Sequence, residues 1–157
     1  MSLDVEGSAD LVVRRFIAAE PARLFSLWTE PESLRRWWGP PGVSCPAADI
    51  DLRPGGGYTI DNLLPDGSVL RICGEFERVD PPRELVFSWR VAPAGQPSPT
   101  SKQRVTVRFD AVEGGTEIVV RHERIPDEAT RANHEQGWVG CLEGLDRLAT
   151  EAPGRPR

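Results

Sequence analysis

Asp127-Glu128-Ala129-Thr130-Arg131-Ala132-Asn133-His134-Glu135-Gln136-Gly137-Trp138-Val139-Gly140-Cys141-Leu142-Glu143-Gly144-Leu145-Asp146-Arg147-Leu148-Ala149-Thr150 is the stretch whose reading decides the fold. At about 100° per residue, His134, Trp138, Cys141, Leu142, Leu145, Leu148 and Ala149 fall on one face. The pattern predicts a helix over 127–150 with a single apolar stripe, interrupted by one histidine. Gly137, Gly140 and Gly144 run along the edge of that stripe. An interior glycine costs about 1 kcal/mol against alanine, so three of them predict a helix backbone lying close to another layer. A one-sided helix also needs a surface to cover.

The upstream sequence supplies that surface. Leu11-Val12-Val13-Arg14-Arg15-Phe16-Ile17 reads as a first strand, and Pro21 then opens a short amphipathic helix carrying Leu24, Phe25, Leu27 and Trp28. Glu30-Pro31 interrupts it, and residues 32–37 offer a second short helix before Gly39-Pro40-Pro41-Gly42. From Asp49 the period changes to two. Alternating segments at 49–52, 58–62, 69–79, 85–89, 104–110 and 118–122 are separated by turn sequences such as Pro65-Asp66-Gly67-Ser68 and Glu113-Gly114-Gly115-Thr116. Short turns between neighbouring strands predict an antiparallel meander. Strand parity puts Leu85, Phe87 and Trp89 on one face, and likewise Val105, Val107 and Phe109, and Ile118, Val120 and His122. The Arg71, Glu75, Glu77 and Arg78 side chains read as a solvated outer face. The Pro/Gly/Ser-rich segment 92–101 reads as a mobile hairpin loop, which either gates an interior or simply covers surface.

The chain has 157 residues, enough for one domain with a real core, expected over 9–150 with flexible termini at 1–8 and 151–157. Its 24 acidic residues outnumber its 19 lysines and arginines, for a net charge of −5, and no basic patch supports nucleic-acid binding. No apolar run approaches the ~20 residues of a membrane-spanning helix, and the first residues lack a signal-peptide pattern. Three widely spaced cysteines, Cys45, Cys73 and Cys141, form neither a disulfide framework nor a metal cluster. A cytoplasmic protein without metal or cofactor is the expectation.

Several stretches together resemble one superfamily. They are Trp28-Thr29-Glu30-Pro31 with Leu34-Arg35-Arg36-Trp37-Trp38-Gly39-Pro40, Asp51-Leu52-Arg53-Pro54-Gly55-Gly56, and Gly74-Glu75-Phe76 through Pro81-Pro82 to Leu85-Val86-Phe87-Ser88-Trp89. Gly115-Thr116, and His134 with Gly137-Trp138 and Leu142, complete the set. In this order they resemble the START-like (SRPBCC, Bet v 1-like) helix-grip superfamily, and within it the branch of the activator of Hsp90 ATPase. The resemblance implies an α+β fold: a curved seven-stranded antiparallel sheet gripping a long C-terminal helix, with a cavity between them. Members bind lipids, steroids or plant hormones, cyclise polyketides, or act as co-chaperones. The two-domain co-chaperones carry a further N-terminal domain that these residues do not include, which weighs against an Hsp90-activating role.

The first reading of function is therefore a binder of a small hydrophobic or amphipathic molecule. Trp37, Trp38, Tyr58, Ile60, Ile72, Phe87, Trp89, Val107, Val120, His122, His134, Trp138, Cys141 and Leu145 are the expected cavity lining. Alternatives are a cyclase- or hydrolase-like enzyme with His134 as proton shuttle, and a co-chaperone-like interaction module. A homodimer is left open. Trp37-Trp38 is either a ligand-facing pair or a plug seating the short helices. His134 is a core histidine, a polar handle or an acid/base, and His122 reads as structural. Cys141 lies about 10 Å along the helix from His134, too far for a nucleophile–base pair. Gly55-Gly56-Gly57 lacks the lysine and following helix of a phosphate loop and reads as a tight turn.

Overall fold

The structure, a computed structural model, describes residues 9–97 and 101–151. The expected flexible termini, apart from Glu151, and residues 98–100 of the expected loop lie outside the described residues. In chain order the elements are β1 (Ala9–Ile17), α1 (Pro21–Thr29), α2 (Pro31–Trp37), β2 (Ser44–Ile50), β3 (Gly57–Leu63), β4 (Val69–Asp80), β5 (Glu84–Ser88), β6 (Arg90–Pro93), β7 (Arg104–Val112), β8 (Gly115–Ile125) and α3 (Glu128–Thr150).

The strands pair antiparallel in the order β1-β8-β7-β5-β4-β3-β2. β6 pairs with β4 as well, through Ile72↔Val91 and Cys73↔Arg90, while β5 takes the other half of β4 through Phe76↔Phe87 and Asp80↔Glu84. Only Trp89 separates β5 from β6, so the two form one broken strand and the sheet is seven-stranded. Gly74 allows a close approach here: a Cβ on it would stand 2.2 Å from the Ser88 carbonyl oxygen. That carbonyl accepts the Tyr58 hydroxyl at 2.6 Å, and Ser88 Oγ accepts the Glu75 N–H at 2.9 Å. The pairing with β4 keeps one register across Trp89, whose N–H donates to the Gln103 carbonyl at 3.2 Å, and the ring is buried on the same face as Leu85 and Phe87.

Strand alternation decides the core. Val105, Val107, Phe109, Ile118, Val120 and His122 are all buried, and their neighbours Arg108 and Arg121 face out in ion pairs with Asp110 and Asp10. One extra residue in β8 after His122 makes a bulge opposite β1. Arg124 sits there at φ 62°, its N–H donating to Asp10 Oδ1 at 3.2 Å.

Prolines start both short helices at their first position, where a missing N–H costs nothing. α1 lies on β7 through Phe25 and Trp28, whose rings meet Phe109 edge-on at 5.3 and 5.8 Å. α3 begins at Asp127, whose carboxylate accepts the Thr130 N–H at 2.7 Å and so caps the first turn. Its face of Trp138, Cys141, Leu142, Leu145, Leu148 and Ala149 is buried as the period predicts.

The glycine edge works differently from the expectation of close helix–sheet contact. A Cβ on Gly144 would stand 2.5 Å from the Trp37 carbonyl oxygen, and one on Gly140 2.7 Å from Pro40 Cβ. α3 is thus pressed against the end of α2 and the proline loop. A Cβ on Gly137 would meet nothing within 4 Å. Parity and period show that a residue faces inward, but not which neighbour it meets.

Candidate functional site

A pocket of about 240 Å³ opens between the N-terminal half of α3 and the β3–β4–β6 side of the sheet. α3 contributes Asn133, His134, Gly137, Trp138 and Cys141, and the sheet Asn62, Leu70, Ile72, Trp89 and Val91. Leu64 after β3 and Trp38, Pro40 and Val43 after α2 close it. Its volume is near the small end of the range for small-molecule sites.

Of the residues expected at a cavity, Trp38, Ile72, Trp89, His134, Trp138 and Cys141 meet here. The others do not. Tyr58, Ile60 and Phe87 line a separate void of only about 20 Å³, on the far side of Trp38, which borders both. Val107, Val120 and Leu145 are fully buried in the core. Trp37 turns away, its indole N–H donating to the Leu27 carbonyl at 2.9 Å, and serves as the plug between the short helices and α3. The physical reason is filling: Trp28, Trp37 and Trp38 pack ring to ring at 4.9–6.4 Å and occupy the part of the interior under which those strands run.

His122 lies behind the pocket wall. The Trp138 indole N–H donates to its Nδ1 at 3.1 Å, and because an indole can only donate, the imidazole proton sits on Nε2. Nε2 then donates to Gln103 Oε1 at 2.8 Å. Burial, with His134 next in size, pushes the His122 pKa down to about 3, so the ring is neutral. His134 stacks on it, ring centroids 4.7 Å apart and planes 13° from parallel, and meets Trp89 edge-on at 5.7 Å. Desolvation lowers the His134 pKa too. Among the described residues nothing hydrogen-bonds its imidazole.

Trp138 is the centre of the wall, touching Trp38 at 5.5 Å, Trp89 at 5.5 Å and Trp28 at 6.1 Å. Cys141 is buried with its Sγ accepting the Gly39 N–H at 3.4 Å, and burial pushes the thiol up to about 12. That thiol is inert at neutral pH. No group of three or more His, Cys, Asp or Glu among the described residues could hold a metal ion.

Sequence reasoning passed over Asn62, although it shares strand parity with Tyr58 and Ile60 and therefore faces inward. It is 8% exposed, and its Oδ1 accepts the Trp38 indole N–H at 3.0 Å. Leu64, Pro40, Val43 and Asn133 sit in connections or at the rim, where no periodicity marks them. Leu70 and Val91 lie on β4 and β6, and Gly137 was noticed for a different reason.

A curved antiparallel sheet closed over a long helix, with a pocket between them, defines a helix-grip domain. The family described as "Activator of Hsp90 ATPase homolog 1-like protein" matches residues 18–150, and the chain belongs to it. No curated protein matches the chain. Among solved structures, a protein from Mycobacterium smegmatis is 26% identical with TM-score 0.78, covering 91% of each chain. An AHSA1 protein from Silicibacter pomeroyi is 25% identical with TM-score 0.79, over 89% of this chain and 96% of its own. A protein from Chromobacterium violaceum, 24% identical with TM-score 0.79 over 91% and 98%, shares the fold. No helix among the described residues is long and apolar enough to cross a membrane.

Proposed function

We propose that the protein binds a small hydrophobic or amphipathic molecule in the pocket beneath Gly137. The observation that carries this reading is the pocket itself: apolar and aromatic walls with a few polar groups, His134 and Asn62 among them. The Gly137 environment adds support. A mid-helix glycine with no neighbour to accommodate is a local cost that a mouth left open explains. Membership of a superfamily that binds apolar ligands agrees with it. Proton shuttling by His134 has less support, because among the described residues no carboxylate or other group hydrogen-bonds its ring.

Titration with N-phenyl-1-naphthylamine, an uncharged fluorescent probe, tests the reading. Saturable one-to-one binding is expected, with loss of binding in Gly137→Leu at an unchanged or higher melting temperature. Absence of saturable binding in the folded wild-type protein would remove the binder and favour an interaction module.

A further inference from the structure

Of the pocket's polar side chains, Asn133 and His134 offer donor and acceptor alike, whereas the inward-facing Asn62 has a donor to spare. Trp38 Nε1–H can only donate, so it commits the Asn62 Oδ1 and fixes which way that amide points. What Asn62 leaves for the pocket is Nδ2, with two hydrogens that no acceptor among the described residues takes. Trp89, another wall residue and 5% exposed, has a buried Nε1–H without an acceptor among the described residues. The Trp89 N–H is enclosed and out of a ligand's reach, whereas the Asn62 amide hydrogens remain accessible, so a pocket occupant can pair them.

The walls also lack charge. Among the described residues, no Lys, Arg, Asp or Glu lines the pocket. The aromatic side chains of Trp38, Trp89 and Trp138 line it instead. A charged ligand would lose its hydration here and gain no counter-charge.

We infer that the pocket takes an uncharged, compact, largely aromatic molecule bearing a carbonyl-type hydrogen-bond acceptor, which receives the Asn62 amide. The inference rests on the pocket being a binding site. A carbonyl oxygen accepts from Asn62 without disturbing its bond to Trp38. A carboxylate is disfavoured by the missing cation, and a hydrocarbon leaves the donors as they are.

Three naphthalenes of similar shape test this by calorimetric titration and by the side-chain amide spectrum of the ¹⁵N-labelled protein: 2-acetylnaphthalene, 2-isopropylnaphthalene and 2-naphthoate. The ketone should bind and move the Asn62 side-chain amide signals, the hydrocarbon should bind and leave them in place, and the carboxylate should bind on the order of 100-fold more weakly than the ketone. Asn62→Asp keeps an acceptor for Trp38 and removes the donor. It should weaken the ketone at least about fivefold and change the hydrocarbon less than about twofold. Hydrocarbon binding with a ketone that never touches the Asn62 signals overturns the inference and leaves the binding reading standing, as does tightest binding by 2-naphthoate or an equal effect of Asn62→Asp on ketone and hydrocarbon. If none of the three binds, the binding reading itself fails and this inference with it. Should Asn62→Asp not fold, the amide signals of the wild-type protein decide.

Discussion

Alanine at the three α3 glycines should move stability in opposite directions, because each glycine has a different neighbour. Replacing an interior helical glycine by alanine gains about 1 kcal/mol from propensity alone. At Gly137, where an added Cβ meets nothing within 4 Å, that gain is realised in full. For a domain of this size it corresponds to a melting temperature about 2–4 °C higher. At Gly144 the added carbon would stand 2.5 Å from the Trp37 carbonyl oxygen, and at Gly140 2.7 Å from Pro40 Cβ and 2.9 Å from its Cα. These are backbone or ring atoms that cannot swing aside. Overpacking of this kind costs about 1–3 kcal/mol, which after the propensity gain leaves a net loss of up to about 2 kcal/mol. Thermal unfolding by circular dichroism and urea titration at constant m-value read the order directly. The expected ranking is Gly137→Ala, then wild type, then Gly140→Ala and Gly144→Ala. A Gly137→Ala variant below wild type, or a Gly144→Ala variant above it, refutes the reasoning.

The same packing logic predicts that Gly74→Ala, whose Cβ would stand 2.2 Å from the Ser88 carbonyl oxygen, destabilises by about 1–3 kcal/mol; chemical denaturation measures it. His122 is neutral in the folded protein with a pKa near 3, while the unfolded side chain titrates near 6.5. Between those values the unfolded state binds the extra proton, so stability is intact above about pH 6.5 and falls as pH drops, by about 1 kcal/mol per pH unit. The lowered pKa of His134 acts in the same direction. The stabilisation from the Asp127 carboxylate, whose pKa is lowered by its bonds to Thr130, is present above about pH 4 and is lost only below it. Urea titrations from pH 7 to 5 should show the slope in wild type and a shallower one in His122→Gln. Iodoacetamide at pH 7.5 followed by peptide mass spectrometry should leave Cys141 unlabelled until the protein unfolds, since its thiol is buried and pushed up to about 12.

The fold was legible because its determinants are periodic. The 3.6-residue stripe of α3, the two-residue alternation of β7 and β8, and the proline opening α1 each act locally, and each appears where the sequence places it, while Pro31, read as a break before a helix at 32–37, is itself the first residue of α2. The alternation that puts Trp89 on one face with Leu85 and Phe87 holds in the structure, whereas the close approach of Gly74 to Ser88 was not legible, because the two are far apart in sequence. The pocket was legible in part. Trp38, Trp89, His134 and Trp138 were read as inward-facing aromatic groups. Val107, Val120 and Leu145 face inward equally, but into space that Trp28 and its neighbours fill. Asn62 is the instructive omission. Its parity with Tyr58 and Ile60 marks it as inward, and an inward polar side chain on an apolar strand face is a stronger sign of a site than another inward valine. Gly137 was noticed for its cost, yet an empty position beside a helix leaves no trace in a sequence that separates it from a crowded one.

The central claim is that a ligand lies between α3 and the sheet, against three of the five tryptophans. The indole N–H spectrum of the ¹⁵N-labelled protein, recorded with increasing 2-acetylnaphthalene, tests it most directly. Trp38, Trp89 and Trp138 should shift together along one saturable curve, while Trp37, whose N–H is bound to the Leu27 carbonyl away from the pocket, should stay in place. A spectrum in which the three pocket indoles do not move, or in which Trp37 moves as much as they do, would contradict the account.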